Sequence, residues 1–169
     1  MPGVRDEVAA FISKRDQRPV SADDIYITNG ASRAVCCTLT ALLRSAQDGV
    51  LVPIPQYPLY SASIQLHNGT LLPYYLDEKD DWSFSLPAIE RTITKAIDSG
   101  MTVRAFVLIN PGNPTGQCLA EAELVQLAKF CIKHRLVLMA DEVYQTNVYQ
   151  DKHPFIAMHK ILNSLPMSR

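Results

Sequence analysis

No run of about 18 apolar residues occurs anywhere in the 169-residue sequence, so these residues hold no membrane-spanning helix of ordinary length. Surplus charge is also lacking: 16 basic residues stand against 17 acidic ones, a net charge of −1, which argues against a nucleic acid or other polyanion as partner. The cysteines, Cys36, Cys37, Cys118 and Cys131, include no Cys-x-x-Cys pair, and the adjacent Cys36 and Cys37 would face different sides of a helix. Neither a zinc site nor a disulfide framework is expected, and the scattered thiols read as small buried hydrophobes in a reducing compartment. The start, Met1-Pro2-Gly3-Val4-Arg5, carries no signal-peptide apolar region. His67 and His134 fit helix ends, and with His153 and His159 they lack the spacing of a triad or metal site. The lone Trp82 and nearby Phe84 read as loop packing, and internal repeats and low-complexity tracts are absent.

What is present is an alternation of short apolar runs and helical stripes. Val8, Phe11 and Ile12 predict an amphipathic helix over Glu7–Arg15, and Ile25–Thr28 reads as a β-branched and aromatic strand. Helices follow over Ser32–Ser45, Leu59–Leu66, Leu86–Ile97 and Glu121–His134, and strands over Gly49–Val52, Thr70–Leu76, Val103–Ile109 and Leu136–Ala140. Strands alternating with helices of this length imply an α/β fold: a three-layer, doubly wound, mostly parallel sheet. Beyond Tyr149 the pattern changes. Residues 150–169 are polar, show no strand, and read as a divergent or unfinished tail to a unit covering 1–149.

The polar groups at the strand tips carry the chemistry, since ligands of open α/β sheets bind outside the carboxyl ends of the strands. Asn29-Gly30-Ala31-Ser32 joins a strand tip to a helix start, where free N–H groups and the helix dipole favour an anion; a plain turn with Ser32 as helix cap is the simpler alternative. Pro53-Ile54-Pro55-Gln56-Tyr57-Pro58-Leu59-Tyr60 stiffens a loop that presents Tyr57, whose ring could lie on a flat heterocycle or simply pack. In Asn110-Pro111-Gly112-Asn113-Pro114-Thr115-Gly116, Asn113 offers two amide donors and an acceptor from a turn rich in Pro and Gly. Asp141 follows a buried run and needs a positive partner there, and Tyr144 stands three residues on.

These four motifs in this order resemble the fold-type I, class I/II aminotransferases that use pyridoxal 5′-phosphate, and among them most closely the alanine aminotransferases. The resemblance runs from about Gly3 to about Tyr149 and also takes in Gly3-Val4-Arg5 and Arg15-Asp16. It implies that Ala31 and Ser32 hold the cofactor phosphate, that Tyr57 stacks on the pyridine ring, and that Asn113 and Tyr144 address the ring's phenolic oxygen. It further implies that Asp141 pairs with the pyridinium nitrogen and so keeps the ring an electron sink, and that Pro114 is a cis proline. The implied activity is transfer of an amino group between L-alanine and 2-oxoglutarate, with amino acid and 2-oxo acid as partners and a homodimer in the complete enzyme. The expected location is the cytoplasm, or the mitochondrion if a targeting segment precedes these residues.

The family's catalytic lysine, which holds the cofactor as a Schiff base, sits in an S-x-S-K-type motif that this sequence lacks. Lys152 and Lys160 do not match it, so no catalytic residue is assigned. Also unmatched are the Arg after that lysine, the small C-terminal domain with its substrate-binding Arg, and the N-terminal arm. In the family sheet two later strands lie between the first strand and the rest; without them Ile25–Thr28 has no ladder partner and the sheet has two open edges. The chain is therefore expected to be a partial large domain. Two alternatives stand beside a transaminase fragment: a catalytically inactive isoform that pairs with other subunits, and another fold-type I enzyme such as an aminocyclopropane-carboxylate synthase-like lyase.

Overall fold

The computed structural model describes residues 2–149 and 154–166. Helix α1 (Pro2–Asp16) leads to a 3-10 turn at Ala22–Asp24, then α2 (Ala31–Leu42), β1 (Asp48–Ile54), α3 (Leu59–Leu66) and β2 (Thr70–Asp77). After them come the two-residue β3 (Ser83–Phe84), α4 (Leu86–Asp98), β4 (Thr102–Ile109), α5 (Glu121–Lys133), β5 (Val137–Asp141) and α6 (Met158–Ser164). The sheet order is β3-β2-β1-β4-β5. All neighbours are parallel except the β2–β3 pair, which is antiparallel.

Period-two alternation within the strands sends successive side chains to opposite faces and so builds two cores. On one face Val50, Val52, Ala105, Val107 and Ile109 pack against Val35 and Leu39 of α2 and Tyr60 and Ile64 of α3. On the other, Leu51, Tyr74, Phe106 and Leu108 meet Ile89 and Ile93 of α4, Leu124 and Leu127 of α5, and Met158 and Ile161 of α6. Tyr74 stacks on Phe106 with centroids 4.7 Å apart, and Phe84 stands edge-on to Tyr74 at 6.1 Å. Phe84 thus packs as expected. This is the doubly wound, mostly parallel sheet that the alternating pattern implied.

Ile25–Thr28 is extended and, as expected without the missing family strands, joins no ladder; Tyr26 and Ile27 are exposed. β-Propensity is satisfied only where a neighbouring strand takes up the backbone N–H and C=O groups, and among the described residues none lies beside it. Beyond Tyr149, the polar composition concealed a short helix, α6, whose Met158 and Ile161 are buried in the larger core. The thiols also differ: Cys131 is buried, Cys36 and Cys118 are half-buried, and Cys37 is exposed. The α2 face is set by Val35 and Leu39, so Cys37, midway between them, points outward.

Candidate cofactor site

The carboxyl ends of β1, β4 and β5 and the start of α2 converge on one concave site of about 330 Å³. Its walls are Ala31, Ser32, Tyr57, Leu59, Ile109, Asn113, Asp141, Val143 and Tyr144. All six side chains singled out in the sequence therefore face one cavity. Among the described residues, no lysine lines it.

Each element delivers its group for a local reason. Helix α2 begins at Ala31 behind Gly30, which takes φ +79° and offers no capping side chain. Ser32 is thus inside the first turn rather than at the cap, and its hydroxyl and the first-turn N–H groups are left to face an anion. Tyr57 sits on the Pro-stiffened β1–α3 loop with 46% of its surface exposed, an open ring beside the cavity. The β4–α5 turn is closed by Gly112 N–H to the Gln117 carbonyl at 2.9 Å and Gly116 N–H to the Gly112 carbonyl at 3.0 Å. A Cβ at Gly112 would meet the side-chain ends of Gln117 and Thr115, so a larger residue there would have to displace them. The Asn113–Pro114 bond is cis, as the resemblance implied, and so are Ile54–Pro55 and Asn110–Pro111.

Asp141 ends β5 with both carboxylate oxygens engaged: Oδ2 accepts from the Tyr60 hydroxyl at 2.6 Å and Oδ1 from the Val143 N–H at 3.2 Å. Its carbonyl accepts from Asn110 N–H at 2.9 Å, which ties the tips of β4 and β5 together. Asn113 Nδ2 lies 3.3 Å from the Tyr144 hydroxyl and donates to it, so these two polar groups converge at one wall. An acid held in place, a pair of hydroxyl and amide groups, an aromatic ring and a helix start make a donor set that suits a flat, anionic heterocycle with a basic ring nitrogen.

Two supporting residues were not singled out in the sequence. Tyr60, 1% exposed, fixes Asp141; burial, then the bond to Asp141 and its negative charge, push the phenol well above its usual range. The signal was available, because Tyr57 and Tyr60 flank a helix start three residues apart, and Tyr60 shares the buried stripe of Ser63 and Ile64. Asn110, 1% exposed, uses Oδ1 to accept from Leu119 N–H at 3.0 Å and so anchors the return of the β4–α5 turn. Nothing in the motif distinguishes that role from a second site asparagine.

A parallel doubly wound sheet whose strand tips gather this constellation is the architecture of a cofactor-dependent transferase domain. The chain belongs to the aminotransferase class I and II family, whose profile matches residues 1–165. The relatives it matches include alanine and glutamate–glyoxylate aminotransferases. The chain is 52% identical to glutamate–glyoxylate aminotransferase 1 of Arabidopsis thaliana over 96% of its own length and 34% of that protein's. It is likewise 52% identical to alanine aminotransferase 2 of Panicum miliaceum, again over 96% of this chain and 34% of that one. An Escherichia coli aminotransferase of known crystal structure matches 96% of this chain and 38% of its own, with TM-score 0.81 and 32% identity. The chain thus spans about a third of the length of the curated relatives it matches.

Proposed function

We propose that this chain forms the cofactor-holding face of an aminotransferase site for pyridoxal 5′-phosphate. The observation that carries the reading is Asp141, a carboxylate at a strand tip whose two oxygens are oriented by Tyr60 and Val143 toward one cavity with Asn113 and Tyr144. When bound, the cofactor supplies an electron sink. Asp141 would hold a proton on the pyridine nitrogen, Asn113 and Tyr144 would donate to the phenolic oxygen, and Tyr57 would cover the ring and exclude water from it. Ala31 and Ser32 would bind the phosphate at the start of α2.

In a protein of the relatives' full length, this face would serve transfer of an amino group between L-alanine and 2-oxoglutarate, in a homodimer. The two plant relatives carry different substrate names, glutamate–glyoxylate and alanine, at the same identity, so the substrate pair rests on resemblance alone. The four thiols, all free, agree with a reducing compartment such as the cytoplasm. The absence of lysine from the cavity among the described residues favours a second statement: the chain orients the ring but does not transfer the amino group by itself.

The test is equilibrium binding of pyridoxamine 5′-phosphate to the purified chain and to Asp141→Asn. Saturable binding that weakens by about tenfold or more in the variant, with unfolding still cooperative, supports the reading; tenfold corresponds to about 1.4 kcal/mol. Equal affinity in both proteins removes Asp141 from its assigned role. Borohydride treatment with pyridoxal 5′-phosphate should leave no stoichiometric adduct at a single lysine, and such an adduct would overturn the second statement.

A further inference from the structure

The cofactor cavity is lined by Asp141, Val143 and Tyr144 but not by Glu142 or Gln145, which alternate with them along the same turn. Those two side chains are engaged elsewhere. Glu142 Oε1 accepts the Met158 N–H at 2.7 Å, and Gln145 Oε1 accepts from Arg15 Nη1 at 2.7 Å. The Arg15 guanidinium also donates through Nε and Nη2 to the two oxygens of Asp16, at 2.7 and 2.9 Å. It lies over the Phe155 ring, 5.7 Å from the centroid.

Asp16, 2% exposed, accepts a third hydrogen bond from His159 Nδ1 at 2.9 Å. His159 Nε2 in turn meets Asn163 Nδ2 at 2.9 Å, and the same amide donates to the His159 carbonyl at 3.0 Å. A carboxylate only accepts and an amide nitrogen only donates, so both contacts are satisfied when the proton sits on Nδ1 and Nε2 accepts. The base under this network is firm, because α6, which carries His159 and Asn163, sinks Met158 and Ile161 into the core.

We propose that Arg15, Asp16 and His159 form a latch that positions the Asp141–Tyr144 turn, through Gln145 on one side and the α6 start on the other. Asp141 is held by Tyr60, the Val143 N–H and Asn110, but beyond it the turn has few bonds of its own. After β5 its own backbone bonds are Gln145 N–H to the Glu142 carbonyl at 3.1 Å and Asn147 N–H to the Tyr144 carbonyl at 2.8 Å. No further strand pairs with β5 on its outer edge among the described residues. The latch supplies what the sheet does not: contacts from residues 130 and 143 positions apart in sequence, made by charged donors and acceptors. The latch stands on geometry alone, and its consequence for the cofactor rests on the function proposed above.

Hydrogen–deuterium exchange on the whole 169-residue chain, without ligand, tests it. Gln145→Leu removes the acceptor for Arg15 and should speed exchange of the 142–147 amides by about tenfold while α4 keeps wild-type protection. Gln145→Glu, which retains an acceptor, should restore the wild-type rate. His159→Leu should loosen the same amides through Asp16. Unchanged exchange over 142–147 in both leucine variants overturns the latch. If either leucine variant loses protection in α4 as well, the decision passes to the other leucine variant and the Gln145→Glu comparison.

Pyridoxamine 5′-phosphate binding supplies the second readout. Gln145→Leu should raise its dissociation constant by about fivefold and Gln145→Glu should not. A loosened turn with unaltered affinity overturns the positioning role. If the wild-type chain does not bind the ligand at all, the cofactor reading fails, and exchange alone decides the latch.

Discussion

The Tyr60 hydroxyl donates to Asp141 Oδ2 at 2.6 Å, joining the first turn of α3 to the tip of β5 across 81 positions of sequence. This bond makes Asp141 an oriented acid, because one carboxylate oxygen is fixed by a buried phenol and the other by a backbone N–H. Tyr60→Phe keeps the packing volume and removes only the donor. It should cost about 1.5–3 kcal/mol in urea unfolding, the usual range for a hydrogen bond to a charged group. Ultraviolet titration gives a second measure. Burial raises the folded-state pKa of Tyr60 and Tyr74, so the stability they contribute is present below the unfolded phenol value of about 10 and is lost as pH rises through their folded values. Of the seven tyrosines, these two should ionise only with alkaline unfolding.

Burial pushes the Glu142 carboxyl up, an effect that Asp16 reinforces and that the Met158 N–H and the Arg15 charge only partly offset. A raised folded pKa means that its stabilising contribution is complete below the unfolded value and is lost as pH rises through the folded one. Glu142→Gln keeps an oxygen for Met158 and cannot ionise. The variant should match wild type near pH 4 and become the more stable protein by about 1 kcal/mol at pH 7 to 8, read as the shift in urea midpoint with pH. A loss of stability at pH 8 would show that the charged form is the one the fold needs.

Helix α6 tests whether the residues after Tyr149 belong to the core. Ile161 is 1% exposed and packs in the larger cluster, whereas Lys160 is exposed. Ile161→Ala should cost about 2–4 kcal/mol in chemical denaturation, and Lys160→Ala less than about 0.5 kcal/mol. Equal small effects would mean that α6 is not docked in solution.

The helices and strands of the sheet were legible because their burial is one-sided or complete and therefore periodic. Leu86, Ile89, Ile93 and Ile97 repeat at helical spacing, and Ala105–Ile109 is an unbroken apolar run. Both became the elements expected, α4 and β4. Ile25–Thr28 has the residue preference of a strand, but preference alone cannot supply a ladder partner, and it stays extended without one. Helix α6 was missed because a seven-residue helix with two core residues shows too little periodicity to stand out from polar neighbours.

The six candidate site residues could be named because their motifs resemble the family's. Tyr57, Asn113, Asp141 and Tyr144 follow the tips of β1, β4 and β5, where strand topology brings them together, whereas Ala31 and Ser32 follow a segment that joins no ladder. That is what the sequence by itself determined: the layers, the strand tips and the kinds of polar group they carry. Only the tertiary structure decided how those groups are aimed. Tyr60 reaches Asp141, Arg15 reaches Gln145, and His159 reaches Asp16 over separations of 81, 130 and 143 residues. Contacts at such range leave no local periodicity or spacing to read. They exist because packing two cores onto one twisted sheet brings the ends of α1, α3, β5 and α6 together.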